Sequence, residues 1–159
     1  MNSRFSSGFL AAVILSVSLT PHRAKADCHE DANDLTGAWT FHASRTVPSP
    51  ADFVTLNNFS KDGTYMSSQQ GDAICCPTAG PAYGVWTRTG SNQFALTFNL
   101  LLANADQSLF GTLKVHSAIT LDQKSGKVSG QFDGRIEDPN ENTITLVAGT
   151  FTGQRISGP

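Results

Sequence analysis

Short segments in which apolar and polar residues alternate fill the chain from Leu35 to Ile156, with turn residues between them. Apolar residues at every second position are typical of a β-strand with one buried face, and no segment shows a convincing helical period. About eight such segments follow one another, mostly joined by connections of two to five residues. Because short connections join antiparallel neighbours, the sequence predicts an all-β fold, an eight-stranded antiparallel up-and-down barrel.

The turn residues set the predicted strand limits. Asp62-Gly63 is a hairpin signal because both residue types tolerate a positive φ angle, and Pro48 and Pro50 place residues 45–50 in a loop because proline cannot donate to a ladder. The longest interior connection covers residues 71–80. The predicted strands cover residues 35–44, 53–60, 64–70, 82–89, 93–102, 109–121, 127–137 and 142–156.

The first 26 residues have the composition of a secretory signal peptide. They contain Arg4, an apolar stretch over residues 8–19 and the small residues of Ala24-Lys25-Ala26. The apolar stretch is shorter than the roughly 20 residues that a membrane span needs. We therefore expect a signal peptide over residues 1–26, a single barrel domain over residues 27–159, a secreted or periplasmic protein, and no membrane span.

The charge of the predicted mature chain limits its partners. Removal of residues 1–26 would take away three of the 11 lysines and arginines and none of the 13 acidic residues, which leaves a net charge of −5. Nucleic acids and anionic membranes attract proteins with an excess of positive charge. We therefore expect neither a nucleic acid nor an anionic membrane as a partner.

Three cysteines follow the predicted cleavage site: Cys28, Cys75 and Cys76. In an oxidising compartment at least one disulfide is expected. Adjacent cysteines bond to each other only through a strained ring, so the sequence favours a bridge from Cys28 to either Cys75 or Cys76. Such a bridge would tie the N-terminal segment to the barrel.

The first predicted strand opens with Leu35-Thr36-Gly37-Ala38-Trp39, which resembles the first-strand signature of the lipocalins and the wider calycin group. In those proteins the Gly-x-Trp tryptophan packs at the closed end of the barrel, and an arginine near the last strand lies across its ring. The resemblance implies that Trp39 takes the first position and that Arg155 takes the second. It also implies a barrel that binds a ligand in its interior.

Aromatic and aliphatic residues share the faces that are expected to point inward. Trp39 and Phe41 alternate on the first strand, Phe94, Leu96, Phe98 and Leu100 on the fifth, and Leu109, Leu113, Val115, Ile119 and Leu121 on the sixth. An eight-stranded barrel either fills its interior with such side chains or keeps a cavity for one small ligand. Our prediction for a pocket that binds a small apolar molecule comprises Trp39, Phe41, Trp86, Phe94, Phe98 and Val115.

No catalytic motif is present, so the catalytic residues are unknown and enzymatic activity is undecided but not favoured. His42 and His116 are expected to face solvent, and Asp133 and Glu137 to lie on an exposed strand face. His29, Glu30 and Asp31 are consecutive residues of a loose segment, which seldom preorganises metal ligands, so we expect no metal and no cofactor.

Three functional classes remain open. The first is a carrier or binding module for an apolar molecule. The second is an isomerase or cyclase similar to allene oxide cyclase, which would need inward polar groups from among Tyr65, Tyr83, Arg88 and Asn99. The third is a structural or interaction scaffold, which a filled core would favour.

Overall fold

The computed structural model describes residues 34–70 and 78–157 and shows an all-β barrel. The fold class predicted from the alternation is confirmed. The eight strands are β1 Gly37–Val47, β2 Ala51–Phe59, β3 Thr64–Gln69, β4 Thr78–Arg88, β5 Gln93–Ala103, β6 Leu109–Asp122, β7 Lys127–Glu137 and β8 Thr143–Arg155.

Every strand pairs with its neighbours in sequence, and the sheet closes because β1 also pairs with β8. All of these pairs are antiparallel, as expected for strands joined by short turns. In the closing pair, Trp39 lies opposite Arg155 and Phe41 lies opposite Gly153. Closure leaves no exposed sheet edge and creates an interior that all eight strands line.

Two strand limits differ from the sequence prediction by three or four residues, and the others agree to within two. β1 continues past Ser44 to Val47, which puts Arg45 on the strand and not in the following loop. β4 begins at Thr78, four residues before the predicted start at Ala82. A bulge between Ala79 and Ala82 accommodates Pro81 there, because a bulged residue need not donate to the ladder.

The lower end of the barrel is the end at which β1 begins. Three tight connections lie there, at residues 60–63, 89–92 and 123–126. The segment that leads into β1 is bound to this end by Arg155, which donates hydrogen bonds to the carbonyl oxygens of Asp34 and Thr36. Arg88 adds an ion pair with Asp34 at 3.8 Å. The opposite end, where β1 ends, is called the upper end.

Large side chains fill the lower half of the interior. The Trp39 side chain is fully buried, and its indole Nε1 donates a 2.7 Å hydrogen bond to the Leu35 carbonyl. The guanidinium carbon of Arg155 lies 4.6 Å from the centroid of the Trp39 ring, so the expected closure contact is confirmed. Phe59, Phe94, Leu35, Ile119 and Leu121 are also fully buried in this half.

Glycines allow the aromatic side chains to approach the strands closely. A Cβ atom at Gly153 would lie 2.3 Å from Cδ1 of Phe41, and one at Gly130 would lie 2.4 Å from Cζ of Phe151. These distances are far below van der Waals contact, so any larger residue would displace a ring. The glycines that recur in β7 and β8 therefore make room for the aromatic side chains.

Most predicted faces are observed, with two corrections. His42 and His116 lie on the outside as expected. Leu109 was expected inside but is 48% exposed, because it lies at the upper end beside the bulge at Leu102 and Ala103. Glu137 was expected to be exposed but is only 5% exposed.

Two cations surround the Glu137 carboxylate. Lys114 Nζ lies 2.6 Å from one oxygen, and Arg135 Nε lies 2.5 Å from the other. Hydrogen bonds from Lys114 and Arg135 hold the pKa of this carboxyl below its usual range. The predicted charge pairing on this strand face is therefore present, and the long side chains that provide it also cover Glu137.

Several sequence predictions lie outside the described residues. These are the signal peptide over residues 1–26 and the disulfide from Cys28 to Cys75 or Cys76. His29, Glu30 and Asp31 lie outside them as well. Within residues 34–70 and 78–157, no helix has the length and hydrophobicity needed to cross a membrane.

Candidate functional site

A cavity of about 70 Å³ lies inside the barrel, between the buried lower half and the upper end. One water molecule needs roughly 10–15 Å³ of such space, so the interior is not completely filled by side chains. The largest apolar residues that line the cavity are Phe41, Phe53, Phe98, Phe132 and Phe151. The cavity therefore lies within an aromatic cage, and smaller aliphatic residues fill the gaps between the rings.

Stacked and tilted rings hold the cage in place. Phe41 and Phe151 stack with their centroids 4.9 Å apart and their planes 5° apart. Phe98 packs on Tyr65 at 5.4 Å, and Tyr65 packs on Phe59 of the lower core at 5.0 Å. Such pairs each stabilise a fold by roughly 0.5–1.5 kcal/mol beyond the area they bury. The cavity wall is thus continuous with the lower core and is preformed without a ligand.

One side of the cavity is polar. Thr55, Tyr65, Ser67 and Gln69 line it from β2 and β3, and they are neighbours in the sheet because Thr55 lies opposite Gln69. Ser117 of β6 adds a further hydroxyl. A molecule in this cavity would therefore meet hydrogen-bonding groups, most of them on β2 and β3, as well as phenyl rings.

The deepest polar group is the phenol of Tyr65. Its hydroxyl donates a 2.6 Å hydrogen bond to the Asn57 side-chain oxygen, and the Asn57 amide nitrogen donates to the Thr55 hydroxyl at 2.9 Å. Burial raises the pKa of Tyr65 because the charged phenolate would lose its hydration. At neutral pH the phenol is protonated, and it is a hydrogen-bond donor and not a base.

Arg45 is the one permanently charged side chain among the described residues that line the cavity. It is 4% exposed and points inward from the upper part of β1. Its Nε donates a 2.8 Å hydrogen bond to the Ser49 carbonyl oxygen, and Nη2 lies 3.3 Å from the Ser49 hydroxyl. The loop between β1 and β2 thus helps to position the guanidinium.

Three of the six predicted pocket residues line the cavity, and three do not. Phe41, Phe98 and Val115 are part of its wall. Trp39 and Phe94 point inward but are buried in the lower core. Trp86 packs there as well, with its centroid 5.8 Å from that of Phe94 and its Nε1 bonded to the Ser60 carbonyl. Whether any of the six contacts a ligand stays a prediction.

Of the polar residues that line the cavity, sequence reasoning considered Tyr65 but missed the others. Ser67 and Gln69 follow Tyr65 at every second position of β3, so the alternation that predicts inward faces does contain them. They were overlooked because polar residues were assigned to the outside. Arg45 was overlooked because the two prolines that follow it suggested an earlier end of β1.

The four residues that an isomerase or cyclase would draw on do not lie together in the structure. Tyr65 points into the cavity, whereas Tyr83 is 58% exposed and Asn99 lies on the outside. Arg88 lies at the lower end, 4.7 Å from the Phe94 ring centroid. No group of three histidine, cysteine or acidic side chains within residues 34–70 and 78–157 could hold a metal ion.

Comparison with known proteins gives no relative for this chain. No protein-family model, no curated protein and no solved structure matches it. The barrel is compatible with a lipocalin-like architecture, but the architecture alone does not establish membership of that family. A function must therefore be argued from the cavity and its side chains.

Proposed function

We propose that the mature protein is a secreted or periplasmic barrel that binds one small, mainly apolar molecule in its interior. The observation that carries this proposal is the aromatic cavity in the upper half of the barrel. Ligand sites are usually preformed concave spaces with apolar walls and a few polar groups that fix orientation. The cavity has both features, and its volume suits a small or slender molecule.

The wall supplies the binding free energy in this proposal. Transfer of apolar surface from water to a phenyl-lined cavity contributes roughly 25 cal/mol per Å². Phe41, Phe98 and Phe151 are held by their ring neighbours, so the cavity needs little ordering when a ligand enters. The polar groups on β2 and β3 would orient the ligand.

The lipocalin-like assignment belongs to the same proposal. It is supported by the Gly37-Ala38-Trp39 signature, by the meander of eight strands and by the Arg155 contact with the Trp39 ring. In lipocalins this contact lies at the closed end, and here too it lies at the end that is filled. The signal-peptide composition of residues 1–26 supports export of the domain at residues 27–159.

The test is equilibrium binding of N-phenyl-1-naphthylamine, an uncharged apolar fluorophore. The wild-type protein should bind it saturably with one-to-one stoichiometry. Phe98→Trp places a larger ring in the cavity and should weaken binding by roughly tenfold or more, about 1.4 kcal/mol. Fluorescence titration measures both affinities.

A matched variant controls for the added tryptophan. Tyr83→Trp makes a similar change on the outer face of β4 and should leave the affinity unchanged. Circular dichroism of each variant establishes that the barrel is intact. Equal affinity of wild type and a folded Phe98→Trp variant, or no binding by the wild type, would rule out the cavity as the site.

The Tyr65 hydroxyl favours an isomerase or cyclase as a second candidate. It points into the cavity, and by turning its O–H from the Asn57 oxygen to a bound substrate it could polarise a carbonyl or an ether oxygen. Native mass spectrometry of protein purified from its own secretion would identify a retained molecule. A carrier would return that molecule unchanged, whereas an enzyme would convert it and Tyr65→Phe would not.

A further inference from the structure

We propose that the outer face of β2–β5 is an interface through which two copies of this chain form a symmetric dimer. This inference goes beyond the proposed binding function, because the cavity lies inside the barrel and this face lies outside it. Its basis is a group of large apolar side chains that are each about half exposed and adjoin one another. The group is called the apolar face and consists of Leu56, Met66, Tyr83, Val85 and Leu101.

The register of the strands brings these five side chains together. Met66 of β3 lies opposite Tyr83 of β4, and Val85 is the next outward residue after Tyr83. Leu56 of β2 is a diagonal neighbour of Met66, and Leu101 of β5 is a diagonal neighbour of Tyr83. Long side chains at opposite and diagonal positions of a sheet reach one another. The apolar face is therefore one continuous surface, with Met66 and Tyr83 at its centre.

Charged groups are nearly absent from the four strands that carry the apolar face. No charged residue occurs in β3 or β5, β4 has only Arg88 at its lower end, and β2 has only Asp52 near its upper end. A cluster of outer charges lies instead on β6 and β7, where Lys114 and Arg135 pair with Glu137. Two copies that meet through the apolar face therefore remove no charge from water at its centre and bring no like charges together there.

Exposure of an apolar side chain is not sufficient for such a face. Leu146 of β8 is 60% exposed, the same fraction as Leu101. It lies opposite Arg135, so an interface there would bury a charged side chain, which costs free energy. Leu101 lies opposite the uncharged Thr112. The two leucines thus form a matched pair for a test.

The area of the apolar face suits a second copy of the chain. Five large side chains at about half exposure leave on the order of 500 Å² uncovered, and a standard interface buries about 800 Å² per partner. Exposed polar residues between and around them supply the rim that interfaces have: Asn58, Thr64, Ser68, Thr97 and Asn99. Apolar patches of this size on a single molecule mark contacts with another molecule.

A face that binds a copy of itself gives a closed dimer. Both copies would use the same residues, related by a twofold axis near Met66 and Tyr83. The apolar face of each copy is then covered by that of the other. Association through this face therefore ends at two copies and does not continue into a filament.

The test is the sedimentation velocity of the purified secreted protein over a range of concentrations. Iodoacetamide blocks free cysteines beforehand, so that no disulfide joins two copies. The wild type should dimerise with a Kd below about 100 µM, because interfaces near the standard size reach at least micromolar affinity. A protein that is entirely monomeric at that concentration would overturn the proposal.

Two lysine substitutions separate the apolar face from other exposed apolar side chains. Leu101→Lys places a charge in the face and should raise the Kd of the dimer by roughly tenfold or more. Leu146→Lys makes the same change at a side chain of equal exposure and should leave the Kd unchanged. Both substitutions change the net charge equally, and circular dichroism establishes that both variants are folded. Equal dimer affinity of the two variants would rule out the apolar face as the interface.

A measurement on the wild type keeps the inference testable if a variant does not fold. Met66 is the one methionine that follows the predicted signal peptide. Its methyl group, labelled with carbon-13, should give one resonance that shifts with protein concentration over the range in which the dimer forms. A resonance that stays constant while the dimer forms would place the interface elsewhere and refute the proposal.

Vesicles of phosphatidylcholine, which carry no net charge, test a lipid surface as the other occupant of the apolar face. The wild type should remain in solution when the vesicles are sedimented. Co-sedimentation that Leu101→Lys abolishes and Leu146→Lys retains would assign the apolar face to a lipid surface and overturn the dimer.

Discussion

At the scale of single residues, the role of an inward side chain depends on its position along the barrel axis, between the lower and the upper end. Trp39 packs at the lower end, Phe41 lines the cavity, and Arg45 lies at its upper edge, all on one face of one strand. Polar residues at such positions keep their hydrogen bonds, as Tyr65 does with Asn57. Within the described residues, no buried side-chain nitrogen or oxygen lacks a hydrogen-bond partner. The polar side of the cavity is therefore stable without a ligand.

Tyr65 makes the stability of the protein sensitive to alkaline pH. The phenol in the unfolded chain has an ordinary pKa of 10.0, and burial raises its pKa in the folded barrel. Below the ordinary pKa both states keep the proton, so Tyr65 adds no pH dependence. Above it the unfolded chain releases the proton first, and the free energy of unfolding should fall as pH rises.

Urea unfolding at a series of values between about pH 8 and about pH 11 measures this slope. Tyr65→Phe cannot ionise and should show a smaller decline over the same range, although it starts from a lower stability. Equal slopes for the two proteins would mean that the Tyr65 phenol ionises as easily in the barrel as in the unfolded chain.

At the scale of elements, the pairing of β1 with β8 is the step that turns a meander into a barrel. Arg155 of β8 stacks on Trp39 of β1 and also holds the segment before β1 through the carbonyl oxygens of Asp34 and Thr36. The same two side chains therefore join the first strand to the last and cover the lower end. The cavity depends on this arrangement because the lower core forms its floor.

Trp39→Ala should destabilise the barrel by about 3–5 kcal/mol, because it leaves a cavity beside Phe41 and removes the ring under Arg155. Trp39→Phe keeps an aromatic ring but loses the hydrogen bond to Leu35, so its cost should be smaller. Arg155→Ala should cost about 1–2 kcal/mol. Chemical denaturation of the purified variants gives these differences.

Thr152→Ala serves as the control on the same strand. Its side chain is exposed on the outer face of β8, and its replacement should change stability by less than about 1 kcal/mol. If Trp39→Ala costs no more than Thr152→Ala, the closure contact does not stabilise the barrel.

At the scale of the whole molecule, the closed sheet and the expected net charge both oppose non-specific association between copies. A closed sheet offers no edge for strand addition, so a barrel of this kind resists edge-to-edge aggregation. The net charge of −5 expected after removal of residues 1–26 adds mutual repulsion between copies. In the proposed function, the interior is then the surface that binds a ligand.

The predicted export has a covalent consequence. The secreted protein should begin at Asp27 and contain one disulfide from Cys28 to Cys75 or Cys76, which would close a loop of about fifty residues and stabilise the fold by roughly 2–4 kcal/mol. Intact mass and peptide mapping without reductant check both statements. Cys75→Ser and Cys76→Ser, compared side by side, identify the partner, since only one should abolish the bridge. Alkylation of all three cysteines in the unreduced native protein would disprove the disulfide.

The sequence by itself determined which residues share a face and that the chain forms an antiparallel meander. A strand has a period of two, so the inward set containing Trp39, Phe41, Phe94, Phe98 and Val115 could be predicted from neighbouring residues alone. Turn residues such as Asp62-Gly63 located most strand ends, because their backbone preferences are local.

Only the tertiary structure decided where each side chain lies along the barrel axis and therefore what role it has. Phe94 and Phe98 are inward on the same strand, yet one is part of the floor and the other lines the cavity, because the register across all eight strands sets their levels. Arg45 and Ser67 became cavity residues for the same reason. Register and closure depend on contacts between strands that are distant in sequence, and no local pattern contains that information.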